Sequence, residues 1–562
     1  MKFFLSLVSC LLLLVFLWWH WQLGLTRYFD VDEFAHLSWA YQMLSGRKPY
    51  VDFLFFFPPG FHLFLMPLFA LGSGVTPIIA GRLVQFGIFV LLVGVTMLLF
   101  WLMRKSWVAI LAGVFLAFLP LPFDKYLEIR PDTLAVLFAM LGMVFQILAL
   151  KGVTLRGRVT PYQILSGIFY GLSLLILPKT LPQVGVAIGV LTLMDVGKKL
   201  CKWRHGRDGN YNTLPFLVGL AAPLTLFGLW VLTLGNLDQV IYSLTMLPVE
   251  ANKISQTFIM MPDLFFYPNA TFYGEPGWSM GLIANHAIWL IAIFMAAYRL
   301  VAPYLTVKSE IRTSNQQNSK FEIRNSKQYR NSNVLNSKRL DHLNLFRASN
   351  FVLRIYNSVF RASNFDRQAV AWSEFLIAAT FFVYALFYVQ IVPLKHTQYL
   401  IPIAVFVAFY AADAVDMLWQ KFKAVNILTV VFLLTASVGL YALWSVFVSV
   451  NTPKLAWTNA DTIKELTILF RTIPTSEYIL DLTGQTIYYK HPYVACCLPV
   501  GQWTSYLTRP IPSLSEALKK TKTKYIFEGG LTRTNTLLPE DQVYVSAHYL
   551  PHPAIAGLLL RK

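Results

Sequence analysis

The chain has 562 residues, of which 56% are hydrophobic and only 13% are charged. This composition is too apolar for a soluble globular protein of this length and predicts a protein embedded in a lipid bilayer. The net charge of +19 would suit a nucleic-acid-binding protein, but the basic residues lie in segments between apolar runs, so we assign them to membrane topology and expect no nucleic-acid partner.

Apolar runs of roughly 17 to 25 residues recur along the chain, the length that a helix needs to cross a bilayer core. Eleven spans are predicted, at 3–25, 79–103, 107–123, 131–150, 161–177, 181–196, 214–234, 281–300, 372–392, 399–418 and 425–448. The first run is too long for a signal peptide and lacks a small-residue cleavage site, so we interpret it as an uncleaved helix.

The segment 26–78 follows the first span and contains an acidic cluster of Asp30, Asp32 and Glu33. Because Pro58-Pro59-Gly60 argues against a straight spanning helix, we expect short surface helices or a re-entrant pair. Carboxylates so close together repel one another unless a cation lies nearby, and such groups are candidates for a general base. The alternative is that Asp30 caps the next helix and the others are solvated.

Ionisable residues at span edges are costly, so each is a functional hypothesis. Arg130 and Lys179 suit an anion such as a phosphate, although Lys179 could instead snorkel to the membrane interface. His36 lies one helical turn after Asp32 and either tunes that carboxylate or only hydrogen-bonds at the interface. The remaining edge residues that we single out are Asp124, Lys125, Glu128, Asp132, Lys395 and His396.

Orientation follows from the basic loops at 104–105, 151–158, 198–207, 304–370 and 420–423, which all fall on one side of an eleven-span chain. Since Lys and Arg are retained in the cytoplasm, the N-terminus is predicted to be cytoplasmic and the C-terminal part extracytoplasmic. The stretch 304–370 repeats its own sequence at 346–351 and 360–365 and is predicted to be a disordered basic insertion.

The chain therefore divides into a transmembrane domain at 1–450 and a small soluble domain at 451–562. The latter has a helix-like segment at 461–472 and strand-like runs at 478–481, 486–489 and 524–528. This alternation predicts an α/β or α+β fold.

Several motifs then point to a family. Asp32-Glu33, followed by Gly46-Arg-Lys-Pro-Tyr50-Val-Asp52-Phe53 and Pro58-Pro59-Gly60, resembles the first outer loop of bacterial protein-mannosyltransferase-like and aminoarabinose-transferase-like glycosyltransferases of the GT-C superfamily. Further matches, in order over about residues 1–450, are Arg82, Arg130-Pro131-Asp132, Lys179 and Gln398-Tyr399-Leu-Ile-Pro402. The chain departs from the aminoarabinose branch at Gln398, where that branch usually has Arg, and the insertion 304–370 has no expected counterpart.

The resemblance implies a GT-C-like polytopic helical fold in the bacterial cytoplasmic membrane. It implies transfer of a sugar, with inversion, from a polyprenyl-phosphate donor to an acceptor (lipid, glycan or protein) on the outer face. Asp32 is expected to be the general base and Glu33 its catalytic neighbour, with Lys179 and Arg130 on the donor phosphate. The residues expected to bind sugar or acceptor are Asp132, Glu128, His36, Tyr50, Asp52, His396 and Tyr399. No cofactor is expected to be required, and a divalent metal is optional because Lys and Arg alone can neutralise a monophosphate.

Two other classes of function compete with this prediction. A transporter or flippase of lipid-linked sugars would place charges near span midpoints and show a repeat relating two halves, and neither is visible in the sequence. A non-catalytic scaffold whose C-terminal domain binds a partner would leave the coincidence of Asp32, Asp132 and Lys179 unexplained.

Overall fold

The computed structural model describes residues 2–119, 122–153, 160–205, 213–253, 287–302, 365–391, 397–422, 426–495, 504–529 and 533–562. Up to residue 455 the helices are α1 (Lys2–Thr26), α2 (Val31–Leu44), α3 (Gly60–Leu65), α4 (Thr76–Arg104), α5 (Ala109–Phe118), α6 (Pro131–Leu150), α7 (Thr160–Ile176), α8 (Leu181–His205), α9 (Leu214–Leu232), α10 (Leu237–Asn252), α11 (Ala287–Ala302), α12 (Phe365–Gln390), α13 (Ile401–Phe422) and α14 (Asn426–Leu455).

The described helices confirm the predicted polytopic fold. Seven of them, in the parts of the chain that the structure describes, are long and apolar enough to cross a membrane: α1, α4, α6, α8, α9, α12 and α13. The shorter apolar helices α5, α7 and α11, together with α14, coincide with the remaining predicted spans. Helix α5 ends at Phe118, before the predicted limit of 123, because Pro120 and Pro122 cannot donate the N–H groups that a longer helix needs.

Two predicted boundaries shift. Helix α12 begins at Phe365, inside the stretch predicted to be disordered, and residues 304–364 of that stretch lie outside the described residues. Helix α14 continues to Leu455, beyond the limit of 450 expected for the transmembrane domain.

Helices α7 and α9 pack closely because small residues face each other. A Cβ added to Gly167 would lie 2.1 Å from the Phe216 carbonyl oxygen, and one added to Gly219 would lie 2.2 Å from the Ile164 carbonyl oxygen. Gly171 continues the α7 stripe four residues later and meets Pro223. This small-residue spacing is typical of helices that approach each other within a membrane, where packing rather than water exclusion drives association.

The segment after α1 forms the predicted short helices α2 and α3. Asp30 is the N-cap of α2, since its side chain accepts from the Asp32 amide (2.9 Å), and the Glu33 side chain accepts from the Asp30 amide (2.9 Å). This capping box satisfies two amides that a helix start leaves free. The capping alternative for Asp30 is therefore confirmed.

Beyond α14 the chain forms α15 (Ala460–Thr472), α16 (Leu514–Lys520), α17 (Pro539–His548) and a four-stranded sheet. The strands are β1 (Ile479–Asp481), β2 (Tyr525–Phe527), β3 (Tyr549–Pro551) and β4 (Leu558–Arg561), in the order β1-β2-β4-β3. Strand β1 is parallel to β2, and the other two pairs are antiparallel. The predicted strand at 486–489 is wrong, because this stretch forms a turn whose Thr486 amide and hydroxyl both bind Asp481.

A group of four buried or half-buried charges, here called the Asp413 cluster, lies at the C-terminal end of α4. Asp413 accepts from Arg104 at 2.6 and 2.7 Å and from Arg299 at 2.7 and 2.8 Å, and Glu374 also binds Arg104. Asp413 lies in the middle of α13, so the prediction that no charges lie near span midpoints is wrong.

The Asp413 cluster is distant from the acidic residues near α2. Arg82, near the start of α4, binds Glu33, and Arg104 is the last residue of the same helix. The two arginines are therefore separated by about 33 Å at a helical rise of about 1.5 Å per residue. Helix α4 thus connects two groups of charges about one hydrocarbon thickness apart.

Candidate functional site

Asp32 lies in the first turn of α2 with its side chain 53% exposed. One of its carboxylate oxygens accepts from Nη1 of Arg130 at 2.6 Å, and the Arg130 side chain is only 11% exposed. A mostly buried guanidinium thus holds an accessible carboxylate in place by a charge-assisted hydrogen bond. Asp32 is oriented and still open to a ligand.

The neighbouring Glu33 is in a different environment. Its carboxylate is fully buried and binds Nε and Nη2 of Arg82 at 2.9 and 2.6 Å, together with the backbone amides of Ile129 (3.1 Å) and Asp30 (2.9 Å). All four contacts use its oxygens inside the protein. The structure therefore does not support a catalytic role for Glu33, because this carboxylate anchors α2 and has no surface left for a substrate.

Arg130 is the residue before α6 and joins several carboxylates. Besides Asp32, its Nη1 lies 3.3 Å from Glu128, and its Nε lies 3.8 Å from Asp132. Burial opposes the charge of Arg130, but the carboxylates of Asp32, Glu128 and Asp132 outweigh that cost and raise its pKa well above the ordinary value. Arg130 therefore remains a permanent cation at the centre of this group.

Glu128 is fully buried behind Arg130. It forms salt bridges with Arg27, Lys125 and Arg130, and yet its pKa is raised, because the cost of burial exceeds the stabilisation that these three cations provide. Glu128 was predicted to bind sugar or acceptor. Its position behind Arg130 favours orientation of that arginine instead.

Lys179 lies in the short 3₁₀ turn Pro178–Thr180 between α7 and α8, with its side chain 29% exposed. Its ammonium is 2.9 Å from Asp132 and 4.0 Å from the ring centroid of Tyr399, which is close enough for a cation–π contact. Asp132, in the first turn of α6, is 2% exposed and has Arg130 on its other side. The structure therefore brings Lys179, Asp132, Arg130 and Tyr399 together, although they are far apart in sequence.

Three other predicted residues hydrogen-bond to partners other than Asp32. Nδ1 of His36 lies 3.0 Å from Nε2 of His62, the Tyr50 hydroxyl donates to the Phe57 carbonyl at 2.6 Å, and Asp52 accepts from the Lys48 amide at 2.6 Å. Burial, followed by the charges of Arg130 and Lys179, lowers the pKa of His36 well below its ordinary value. His36 thus hydrogen-bonds to a second buried histidine, and its lowered pKa keeps it neutral.

His396 and Lys395 lie outside the described residues. Gln398, at the position where the chain departs from the family pattern, is described and buried.

Two cations of the site were missed by the sequence analysis. Arg27 is 1% exposed and binds both Asp124 (3.0 Å) and Glu128, and Lys454 near the end of α14 binds Asp124 at 2.7 Å. Burial would raise the pKa of Asp124, but Lys454, Arg27 and Lys125 together lower it. Arg27 directly follows the first apolar run, where a basic residue is ordinarily interpreted as a solvated flank, so its sequence context gave no signal.

We call the connected residues the Arg130 cluster: Arg27, Asp32, Asp124, Lys125, Glu128, Arg130, Asp132, Lys179 and Lys454. Asp32 and Lys179 are its most exposed members by side chain. Among the described residues, no group of three or more His, Cys, Asp or Glu side chains could hold a metal ion. The cluster offers an accessible carboxylate on one side of Arg130 and an accessible ammonium on the other.

The sequence matches no protein-family model and no curated protein. The structure, in contrast, is similar to solved structures. ArnT from Cupriavidus metallidurans bound to undecaprenyl phosphate aligns with a TM-score of 0.52 at 12% identity, over 99% of this chain and 97% of ArnT. The Archaeoglobus fulgidus oligosaccharyltransferase tethered with an acceptor peptide aligns with a TM-score of 0.48 at 11% identity, over 99% of this chain and 74% of that protein. The likeness to ArnT shows a shared fold and confirms the GT-C-like architecture predicted from the sequence.

Proposed function

We propose that this chain is a membrane glycosyltransferase that moves a sugar from a polyprenyl-phosphate donor to an acceptor on the extracytoplasmic face. The observation that carries the proposal is a row of contacting side chains in which acidic and basic residues alternate: Asp32, Arg130, Asp132 and Lys179. The ArnT structure that shares this fold holds undecaprenyl phosphate, the class of lipid that such a donor releases.

Asp32 acts as the general base in this proposal. The acceptor hydroxyl attacks the anomeric carbon, its proton passes to the Asp32 carboxylate, and the bond between the anomeric carbon and the phosphate oxygen breaks with its electron pair on the phosphate. Asp32 suits this step because it is half exposed and held by Arg130 alone among the described cations. A single base without a second nucleophile is compatible with inversion at the anomeric carbon.

Lys179 and Arg130 stabilise the departing phosphate. Both cations already contact one carboxylate, Asp132, so a phosphate arriving beside Asp132 would meet two cations that are held in position before it binds. Preorganised cations of this kind stabilise charge that develops in the transition state. A divalent metal is not required in this arrangement, since the two cations can match the charge of a monophosphate.

Asp132 and Tyr399 flank Lys179 and are proposed to orient the sugar or the lipid phosphate. Glu33 anchors the first turn of α2, which carries Asp32, by its salt bridge with Arg82. Glu128 holds Arg130 by a second salt bridge. In this proposal the Arg130 cluster lies on the outer side of the membrane, with a cytoplasmic N-terminus and a C-terminal domain outside, and the distribution of the basic loops supports that orientation.

The test uses the purified chain in lipid nanodiscs, with radiolabelled polyprenyl-phosphate sugars and a membrane extract as the source of acceptors. We expect labelled sugar to move to an acceptor, and Asp32→Asn to lower the transfer rate at least about 100-fold, the usual contribution of a general base. Asp461→Asn is the matched control, because Asp461 is an exposed aspartate in the first turn of another helix, α15.

Equal rates for wild type and Asp32→Asn would refute the base assignment. In sealed vesicles, movement of the labelled lipid between leaflets without sugar transfer would favour the flippase alternative. The anomeric configuration of the product, read by NMR, tests inversion.

A further inference from the structure

The C-terminal domain lies along one face of α2, the helix that carries Asp32. The contacts on α2 occur at positions 34–35, 38 and 41, whose spacing of three to four residues defines a single helical face. They are the approach of Gly484 to the backbone of Phe34 and Ala35, the 3.5 Å separation of His491 Nε2 and Ser38 Oγ, and the 5.0 Å separation of the Tyr488 and Tyr41 ring centroids.

Gly484 makes the closest of these approaches. It has a φ of +83°, and a Cβ at this position would lie 2.9 Å from the Ala35 amide nitrogen and 3.0 Å from the Phe34 carbonyl carbon. Both contacts are with backbone atoms, which cannot rotate away as a flexible side chain can. A larger residue at 484 would therefore displace either its own turn or the first half of α2.

The turn that presents Gly484 is held by Asp481, which is fully buried. One carboxylate oxygen accepts from the amides of Thr483 and Gly484, both at 2.7 Å, and the other accepts from the amide and hydroxyl of Thr486, both at 2.6 Å. Because all of these bonds lie inside residues 481–486, they make the turn stiff. We call this segment the Asp481 turn.

Helix α2 is thus held from two directions. Arg130 and Arg82 bind its first turn from the transmembrane side through Asp32 and Glu33, and the Asp481 turn lies against its backbone one residue later. We infer that the C-terminal domain positions the general base: the Asp481 turn fixes α2, and Gly484 is a positioning residue for the transfer reaction. The inference rests on the proposed function of Asp32.

The experiment compares Gly484→Ala with Gly235→Ala in the full-length protein in nanodiscs. Gly235 has a similar φ of +87° but nothing within 4 Å of an added Cβ, so it reproduces the backbone strain without the contact on α2. We expect Gly484→Ala to lower kcat by about 100-fold with the donor KM within about twofold of wild type, because a small misplacement of a catalytic group costs about that much. The α2 peptide should also exchange its amide hydrogens faster in Gly484→Ala alone.

Thr486→Val gives a second, milder variant in case Gly484→Ala does not fold. It removes one hydroxyl from the Asp481 carboxylate without adding an atom against α2, and the same two changes should appear at smaller size.

Unchanged exchange of the α2 peptide would overturn the inference, and so would faster exchange with a normal kcat. If the wild type transfers no sugar from any donor, the proposed function and this inference about its base both fail, while the exchange data still show whether the turn holds α2. If wild-type transfer is normal but Asp32→Asn is fully active, only the base assignment and this inference fail.

Discussion

Replacing each of two adjacent carboxylates, Asp32 and Glu33, by its amide should have opposite effects on stability and on the transfer rate. In Asp32→Asn the protein loses one contact, between a half-exposed carboxylate and Arg130. Arg130 is mostly buried but keeps its contacts with Glu128 and Asp132, so losing a pair whose carboxylate is half exposed should cost only about 1 kcal/mol. Loss of the base should nevertheless lower the transfer rate by about two orders of magnitude or more.

In Glu33→Gln we expect a large loss of stability and a smaller loss of activity. Arg82 is 4% exposed and Glu33 is fully buried, and the new amide group would place N–H donors against the donors of Arg82 and of two backbone amides. Removing one partner of a buried ion pair costs about 3–5 kcal/mol. Arg82 keeps the carbonyls of Gly24, Arg27 and Tyr28, so the loss should lie near the lower limit.

The assay measures thermal unfolding by tryptophan fluorescence and, on the same samples, single-turnover transfer per mole of donor-binding protein. We expect Asp32→Asn to be stable and inactive, and Glu33→Gln to be unstable, with a much larger residual rate per folded molecule. A Glu33→Gln protein of normal stability and negligible rate would refute this reasoning and restore Glu33 as a catalytic group.

Three further predictions follow from the same contacts. Lys179→Met should weaken binding of undecaprenyl phosphate about tenfold or more and Lys179→Arg should weaken it less, because the arginine keeps a charge for the phosphate; equal lipid binding by Lys179→Met would contradict the phosphate role. Asp413→Ala leaves Arg104 and Arg299 without their shared carboxylate, so it should cost about 3–5 kcal/mol in unfolding free energy while the transfer rate per folded molecule stays normal; a normal melting temperature would refute this. Burial lowers the pKa of His491 from 6.5 to about 4, so its contribution to stability is complete above pH 6.5 and is lost as the pH falls toward 4; about 2 kcal/mol should disappear between pH 7.5 and 5, and His491→Asn should show a correspondingly smaller pH dependence of its melting temperature.

The transmembrane helices were predictable because hydrocarbon imposes a length and a composition that appear directly in the sequence. The pairing of Lys179 with Asp132 was harder to predict, since the two residues are 47 positions apart. Only their location at span ends suggested that they share one side of the membrane. The motif indicated where Asp32 would lie, but not that Arg130 would be its partner.

The motif does not show which of its polar residues are buried. Glu33 and Tyr50 stand in the same motif as Asp32, and the sequence does not state which polar groups are used by internal hydrogen bonds. Burial decides that question, and burial depends on tertiary contacts such as that of Glu33 with Arg82. The stretch 486–489 was predicted as a strand for a related reason, because its Thr and Tyr residues have high β propensity, while the bonds of Thr486 to the Asp481 carboxylate hold it in a turn.

Helix α4 carries a charged anchor at each end, Arg82 on Glu33 and Arg104 on Asp413, with only apolar and uncharged residues of the helix between them. Such a helix cannot slide along the membrane normal without breaking a buried ion pair, so the two anchors stay about 33 Å apart. A bilayer of different thickness must then thin, thicken or tilt around the protein instead. The depth at which a lipid-borne phosphate meets Lys179 would consequently be set by the protein. Turnover should be highest in lipids whose hydrocarbon thickness matches the distance between the two anchors of α4.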